Sequence, residues 1–143
     1  MDSAAKKELV RTFFDSLWTE PDKSRSLATD DVTWVTCRGL PIPGADGIEH
    51  VGWDAVMHVA HSGLKIDTGY IPTTMTFPVR EVLDVEGDRA IFRFTMTCDT
   101  KAGRSYINDY LFFVELRDGK VARFQEYWDT KQAFDLLLGD SHT

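Results

Sequence analysis

Apolar side chains in the first part of the chain recur at helical spacing. Between residues 3 and 18 they return every three or four positions and share one face, as Leu9, Val10, Phe13, Phe14 and Leu17. Ser3 is suited to cap this helix, and Glu20-Pro21 ends the pattern. The same reasoning predicts a short helix around residues 24–28 and a longer one over residues 53–62.

The later part of the chain has the pattern of β-strands. Four runs rich in β-branched and aromatic residues predict strands at 75–86, 89–99, 105–117 and 120–129. The sequences between them are typical of hairpin turns: Glu86-Gly87-Asp88, Lys101-Ala102-Gly103 and Asp118-Gly119. We therefore expect a meander of long antiparallel strands.

Three further segments complete the predicted fold. VTWVTC, residues 32–37, predicts a strand, whereas the Gly and Pro content of RGLPIPGADGIEHVG, residues 38–52, predicts irregular structure. TKQAFDLLLG, residues 130–139, predicts a last short helix. Helices followed by an antiparallel meander are typical of an α+β fold, and long strands coil strongly. We expect a cone-shaped roll: a strongly curved antiparallel sheet packed against N-terminal helices, enclosing a ligand cavity.

Composition narrows the class of protein. The 143 residues fit one domain, 1–143, and no apolar run approaches the roughly 18 residues of a membrane span. The charged start MDSAAKKELV does not resemble a signal peptide, so a cytoplasmic location is expected. A net charge of -7 without a Lys/Arg cluster argues against nucleic acid. Cys37 and Cys98 are expected to be buried free thiols, and no metal or nucleotide motif predicts a cofactor.

The segment GRSYINDYLFFVELRDGKVARFQEYWDT, residues 103–130, carries a family resemblance. It resembles the C-terminal half of proteins of the nuclear transport factor two-like superfamily, above all the SnoaL-like and ketosteroid-isomerase-related members. The matching positions are Gly103, Tyr106, Asn108, Tyr110, Asp118-Gly119-Lys120-Val121, Glu126-Tyr127 and Asp129-Thr130, together with GWDAVMHV at 52–59. The resemblance implies the cone fold and a homodimer formed through the outer face of the sheet.

This sequence lacks part of the catalytic residue set of two enzymes of this superfamily. The base, tyrosine and acid positions of ketosteroid isomerase fall on Thr36, near Phe13 and on Leu111. Limonene epoxide hydrolase would keep Arg93 and Asp129, but its first acid falls on Thr95 and its water-holding pair on Trp34 and Thr36. Neither mechanism is expected in its familial form.

Resemblance to the SnoaL-like cyclases implies a catalytic aspartate on the strand before the Gly-Lys turn. Asp109 lies on that strand, two residues from the position that the spacing gives for this acid, and a shift of two residues keeps the same face. Burial among apolar neighbours would raise its pKa towards neutrality, as a general acid or base needs. The alternative is a salt bridge with Arg93. Alternation leaves open which side of the strand faces the cavity: either Ile107, Asp109, Leu111 and Phe113, or Tyr106, Asn108, Tyr110 and Phe112.

Arg93 and Asp129 complete the predicted catalytic set. Arg93 is expected to meet Asp109, Asp129 or a ligand oxygen, or else to lie on an exposed face. Asp129 would lie at the mouth of the cone, although the following Thr130 and helical tail favour a simple N-cap.

The substrate-binding residues predicted beside them are Trp34, Thr36, Leu40, Ile42, His58, Thr95, Asn108, Leu111, Phe113, Tyr127 and Trp128. Tyr127 and Trp128 must point to opposite faces, so one of them should line the cavity. His58 shares a helical face with His61 and fits a proton shuttle or an ordinary surface position.

The sequence thus predicts cofactor-free cyclisation, isomerisation or dehydration of an apolar, oxygenated, polyketide- or terpenoid-like substrate. Asp109 would move the proton, and Arg93 with Asn108 would stabilise negative charge on oxygen. Two alternatives stay open: a non-catalytic small-molecule binding protein in which Asp109 and Arg93 neutralise each other, and a hydrolase acting through Asp129 and water.

Overall fold

The computed structural model describes residues 1–38, 48–62, 64, 66 and 68–137, and Leu40 and Ile42 lie outside this set. The helices are α1 (Ser3–Ser16), α2 (Pro21–Ser26), α3 (Trp53–Ser62) and α4 (Thr130–Gln132). A short 3-10 turn spans Pro72–Thr74, and a π-helical turn, Ala133–Leu137, follows α4. The strands are β1 (Ala28–Val35), β2 (Glu49–Val51), β3 (Thr76–Val85), β4 (Arg89–Asp99), β5 (Ser105–Arg117) and β6 (Lys120–Trp128).

The six strands form one sheet in the order β2-β1-β6-β5-β4-β3. Neighbouring strands are antiparallel except β1 and β6, which run parallel and pair Trp34 with Phe124. The β5–β6 hairpin turns at Asp118 and Gly119, which have φ angles of 53° and 73°. Two successive positive φ values are what a two-residue hairpin turn of the favoured type requires, and an Asp-Gly pair adopts them at little cost.

The helices cover one face of the sheet and form the main core with it. From α1, Phe13 and Phe14 are buried, and Phe14 stacks on Phe112 of β5 with ring centroids 4.8 Å apart. Burying a side chain of this size stabilises the fold by roughly 1.5–3 kcal/mol. The buried Lys6 Nζ fastens the start of α1 to the end of β3, donating to Asp84 at 2.5 Å and to the Val85 carbonyl at 2.8 Å.

The predicted α+β class is confirmed, and two local expectations are corrected. The N-cap of α1 is Asp2, which accepts a 2.7 Å hydrogen bond from the Ala5 N–H, rather than Ser3. Residues 49–51 form β2 instead of irregular structure, because β1 offers them a partner. The meander of β3 to β6 is therefore extended by β1 and β2 into a six-stranded sheet.

Candidate active site

A cavity of about 260 Å³ lies between the covered face of the sheet and the helices. Eight of its described lining residues are aromatic: Trp18, Trp34, Tyr70, Phe77, Phe94, Tyr110, Phe112 and Trp128. The remaining side chains are aliphatic or methionine except Ser62 and Glu126, so Glu126 is the one ionisable carboxyl in the described lining. An apolar cavity with few polar groups is the usual form of a small-molecule site.

Glu126 reaches this cavity because it lies on the inward side of β6, opposite Phe112 of β5. It is 7% exposed, and its Oε1 has no hydrogen-bond partner among the described residues. Burial raises the pKa of its carboxyl from 4.5 to about 8, because an apolar surrounding disfavours the charged form. At neutral pH about a tenth of the molecules carry the carboxylate, so this group can both give and take a proton.

An indole N–H group beside the cavity is also without a partner. Trp34 Nε1 is buried and makes no hydrogen bond within the described part of the chain, whereas the Trp128 side chain interacts with Cys37. A buried donor left unpaired costs about 1–3 kcal/mol, and native structures leave few of them. Its presence with Glu126 around one cavity is typical of a site that completes its hydrogen bonds with a ligand.

A chain of hydroxyl groups forms the other polar part of the cavity wall. Tyr106 and Tyr110 hydroxyls lie 2.6 Å apart, and those of Tyr110 and Tyr70 lie 3.2 Å apart. Tyr70 and Tyr110 line the cavity, whereas Tyr106 lies behind them, hydrogen-bonded to Asn108. Burial raises the pKa of all three phenols, that of Tyr106 to about 12, so they are neutral at physiological pH.

The structure corrects the expected position of Asp109. The inward residues of β5 are Tyr106, Asn108, Tyr110 and Phe112, so Asp109 is exposed on the outer face of the sheet. There its Oδ1 accepts a 2.6 Å hydrogen bond from Thr95 of β4. The expectation that Asp109 is buried in a cavity was wrong, because the side chain lies on the exposed face of the sheet.

Arg93, Thr95, Leu111 and Phe113 share that outer face and do not line the cavity either. Arg93 is exposed and pairs with Glu81 on β3, not with Asp109 or Asp129. Of the two positions expected for Arg93, the exposed one is observed. Leu111 and Phe113 are half-buried.

Asp129 is confirmed in its alternative role as an N-cap. Its Oδ1 accepts from the Lys131 N–H at 3.0 Å and the Gln132 N–H at 3.2 Å, at the start of α4. Tyr127 and Trp128 lie on opposite faces of β6, as expected. Trp128 lines the cavity, whereas Tyr127 is 49% exposed on the other side.

Among the predicted binding residues that the structure describes, only Trp34 and Trp128 line the cavity. Thr36 is buried beside β2, where its hydroxyl donates to the Ile48 carbonyl at 3.3 Å. His58 is exposed on α3, and Asn108 touches the cavity wall only through Tyr106. Binding by Trp34 and Trp128 stays a prediction.

Sequence reasoning missed Glu126, Tyr70 and Tyr110 as site residues. A signal existed for two of them: Tyr110 belongs to the alternative face of β5, and Glu126 directly precedes the aromatic pair Tyr127 and Trp128. Tyr70 lies in the segment before β3, where no periodic pattern marks it.

A model of the SnoaL-like domain matches residues 10–124 of the chain. The chain belongs to the SnoaL-like domain family.

The fold agrees with solved structures that are 15–21% identical in sequence. An NTF2-like protein from Burkholderia xenovorans LB400 has a TM-score of 0.73 at 19% identity, covering 96% of this chain and 98% of that one. TerC, co-crystallised with polyporic acid, has a TM-score of 0.75 at 21% identity, covering 92% and 97%. A protein with a cystatin-like fold from Xanthomonas campestris has a TM-score of 0.68 at 15% identity, covering 92% and 96%.

No protein of curated function matches this SnoaL-like domain in sequence. In the part of the chain that the structure describes, no helix has the length and apolar character needed to cross a bilayer. Across the same residues, no three His, Cys, Asp or Glu side chains are grouped so that they could hold a metal ion. Family membership supports a small-molecule enzyme or binding protein.

Proposed function

We propose that this protein is an acid/base enzyme in which Glu126 transfers a proton to or from an apolar, oxygenated small molecule held in the aromatic cavity. The observation that carries the proposal is a nearly buried carboxyl with an unpaired oxygen in an otherwise apolar lining. A carboxyl whose only role were structural would be expected to have hydrogen-bond partners, because a buried polar group without them is costly. Its pKa of about 8 also suits proton transfer near neutrality.

The chemistry proposed is proton transfer at a carbon next to a carbonyl group. The ionised Glu126 takes the proton from the carbon, and the electron pair of that C–H bond moves onto the carbonyl oxygen as an enolate. Nearby N–H and O–H donors of the cavity stabilise the new charge. Where a C=C bond of the substrate is conjugated with the enolate, return of the proton from Glu126 to the far carbon of this dienolate moves the double bond and gives isomerisation. Attack of the enolate carbon on a second carbonyl gives cyclisation, with the proton going to the alkoxide formed there.

The cavity lining supports a flat, largely apolar substrate. Phe94 stacks on Tyr110 at 4.8 Å, and Tyr110 stacks on Trp128 at 5.1 Å, so this wall presents ring faces and edges. Aromatic side chains favour stacked and edge-on contacts with other rings. TerC, which shares this fold, was co-crystallised with polyporic acid. A polyketide-like aromatic ketone fits this lining better than a charged metabolite.

Proton exchange on a simple aryl-fused ketone tests the proposal without the natural substrate. In D₂O, the protein should accelerate replacement of the C1 protons of 2-tetralone by deuterium, as followed by proton NMR. The rate should rise with pH through about 8 as Glu126 ionises. Glu126→Gln, which keeps the shape but cannot accept the proton, should lose this acceleration.

Glu86→Gln is the matched control, since Glu86 is exposed in the β3–β4 turn and should leave the rate unchanged. Binding of 2-tetralone by the wild type without exchange would contradict acid/base catalysis and favour the binding-protein alternative. Exchange that survives in Glu126→Gln would remove Glu126 from the mechanism.

A homodimer and a cytoplasmic location, both expected from the sequence, stay predictions. The outer face of the sheet exposes Ile107 at 51% and Tyr127 at 49%, so an apolar surface is present where the resemblance places the partner. Sedimentation velocity would measure the mass, and Ile107→Lys should shift a dimer towards monomer. A monomeric wild type at micromolar concentration would contradict the expectation.

A further inference from the structure

Two side chains of the cavity wall carry unpaired atoms of opposite kind, one donor and one acceptor. Trp34 Nε1, which can only donate, is buried and makes no hydrogen bond to any described residue. Glu126 Oε1 is buried as well and has no partner in the same set of residues. A carboxyl keeps an acceptor oxygen whether it is protonated or ionised. A single group that accepts from Trp34 and donates to Glu126 would satisfy both atoms.

Strands β1 and β6 place these two side chains beside each other. Trp34 pairs with Phe124 across the two parallel strands, and their ring centroids are 5.1 Å apart. Glu126 follows Phe124 by two residues and projects from the same face of the sheet. Strands about 4.8 Å apart with about 3.3 Å per residue put the Cα atoms of Trp34 and Glu126 roughly 8 Å apart. Both residues line the cavity, so one small ligand group can meet both side chains.

Packing keeps the indole of Trp34 in place. Its ring makes edge contacts with Phe112 at 5.9 Å and with Trp18 at 6.5 Å, in addition to the contact with Phe124. Turning the indole to bond the Glu126 carboxyl directly would break these contacts, and the two unpaired atoms do not bond to each other. Because a buried donor or acceptor without a partner lowers stability, the partner is expected to come from the cavity.

We propose that Trp34 and Glu126 together bind a hydroxyl group of the ligand, which accepts from the indole N–H and donates to a carboxyl oxygen. An ionised carboxyl can only accept, so a ketone or ether oxygen satisfies Trp34 alone, whereas a hydroxyl satisfies both. The ligand class is therefore a hydroxylated aromatic compound, and Trp34 is a specificity-determining residue. This rests on the proposed function for the cavity as the substrate site. An enolate formed there presents the same O–H once its oxygen takes up the proton that Glu126 removed from carbon.

Three flat probes of similar size separate these properties. 2-Naphthalenemethanol donates and accepts, 2-(methoxymethyl)naphthalene only accepts, and 2-ethylnaphthalene does neither. Affinities are measured by equilibrium dialysis at pH 9, where Glu126 is largely ionised. The hydroxyl preference is the affinity of the alcohol divided by that of the hydrocarbon, and the ether preference is defined in the same way.

Trp34→Phe removes the N–H and keeps an aromatic ring. It should lower both the hydroxyl and the ether preference about threefold to tenfold, the effect of one hydrogen bond. Glu126→Met removes the carboxyl oxygens at similar side-chain length. It should lower the hydroxyl preference by at least the same factor but leave the ether preference within twofold, because an ether cannot donate. Trp53→Phe is the matched control, since Trp53 packs on the core and is not among the residues that line the cavity, and it should keep both preferences.

The indole N–H signals in a proton–nitrogen NMR spectrum give a direct measurement. The chain has four tryptophans, and the signal missing from Trp34→Phe is that of Trp34. In the wild type its proton should resonate further downfield with the alcohol or the ether bound than with 2-ethylnaphthalene bound. If Trp34→Phe does not fold, Trp18→Phe, Trp53→Phe and Trp128→Phe identify the signal by elimination.

A hydroxyl preference that depends on only one of Trp34 and Glu126 would overturn the joint binding. Preferences that neither variant changes, or equal indole shifts with all three probes, would overturn the proposal and leave the pair bridged by water only.

The outcome is distinguishable from that of the exchange assay. Glu126→Gln should lose proton exchange, yet its amide oxygen still accepts, so it should keep more of the hydroxyl preference than Glu126→Met does. Binding of these probes requires no turnover. Failure of the exchange assay therefore leaves the hydroxyl preference interpretable, and the reverse also holds.

Discussion

Replacing Glu126 by glutamine should change how the stability of the protein depends on pH. The raised pKa means that the folded state holds the Glu126 proton more tightly than the unfolded chain does. Below about pH 4.5 the Glu126 carboxyl is protonated in both states and does not lower the free energy of unfolding. As pH rises towards 8 the free energy of unfolding falls progressively, because the unfolded chain loses this proton first. Glutamine has a similar shape and no charge, so Glu126→Gln should not show this loss.

The magnitude follows from the two pKa values. A folded pKa of about 8 against the ordinary 4.5 corresponds to about 5 kcal/mol, at about 1.4 kcal/mol for each pH unit. Between pH 5 and pH 9 about 4 kcal/mol of this should develop, since the unfolded carboxyl is already partly ionised at pH 5. Such a difference is large beside the roughly 5–15 kcal/mol that keeps an ordinary domain folded.

Urea denaturation at pH 5 and pH 9 measures the effect. The free energy of unfolding of Glu126→Gln minus that of the wild type should increase by about 4 kcal/mol between the two pH values, and the subtraction cancels the other titrating groups. Glu86→Gln, at an exposed position, should show no such increase. A difference that stays constant within about 1 kcal/mol would refute the claim that an apolar surrounding holds this carboxyl protonated.

Three further predictions follow from other parts of the structure. Asp109→Asn should keep 2-tetralone exchange within twofold of the wild type, because Asp109 lies on the outer face; a loss of tenfold or more would assign it a part in the reaction. Asp129→Ala should lower the free energy of unfolding by about 1 kcal/mol in urea denaturation through loss of the cap of α4, and unchanged stability would argue against that role. In an ultraviolet titration Tyr70, Tyr106 and Tyr110 should remain protonated at about pH 11, since burial raises their pKa values; ionisation of all four tyrosines by that pH in a still-folded protein would contradict their burial.

The strands of the meander were predictable because their signals are local. β4 and β5 begin and end where the pattern of apolar residues and turn sequences places them, at 89–99 and 105–117. Strand β2 has no such signal. Its three residues form a strand because β1 pairs with them, Thr33 opposite Val51, and a partner of this kind cannot be read from the short segment itself.

The location of the site was less predictable, for two physical reasons. Alternation divides β5 into two faces, but the packing of α1 decides which one is covered, and α1 covers the side of Tyr110 rather than that of Asp109. In β6 the pairing shifts register near Leu116 and Val121. Counting by two from the buried Val121 would place Gln125 inside, whereas the irregularity turns Glu126 inward.

The parallel pairing of β1 with β6 also has a consequence for synthesis of the protein. Val35 pairs with Gln125, so β1 has no neighbour on that side until β6 has left the ribosome. Although β2 can pair with the other edge of β1 early, the edge beside Trp34 that faces β6 must stay unpaired until then, and closing so long a loop is slow. Because Trp34 and Glu126 come from these two strands, the ligand cavity is assembled last, and a truncation that removes β6 would leave the N-terminal half prone to aggregation.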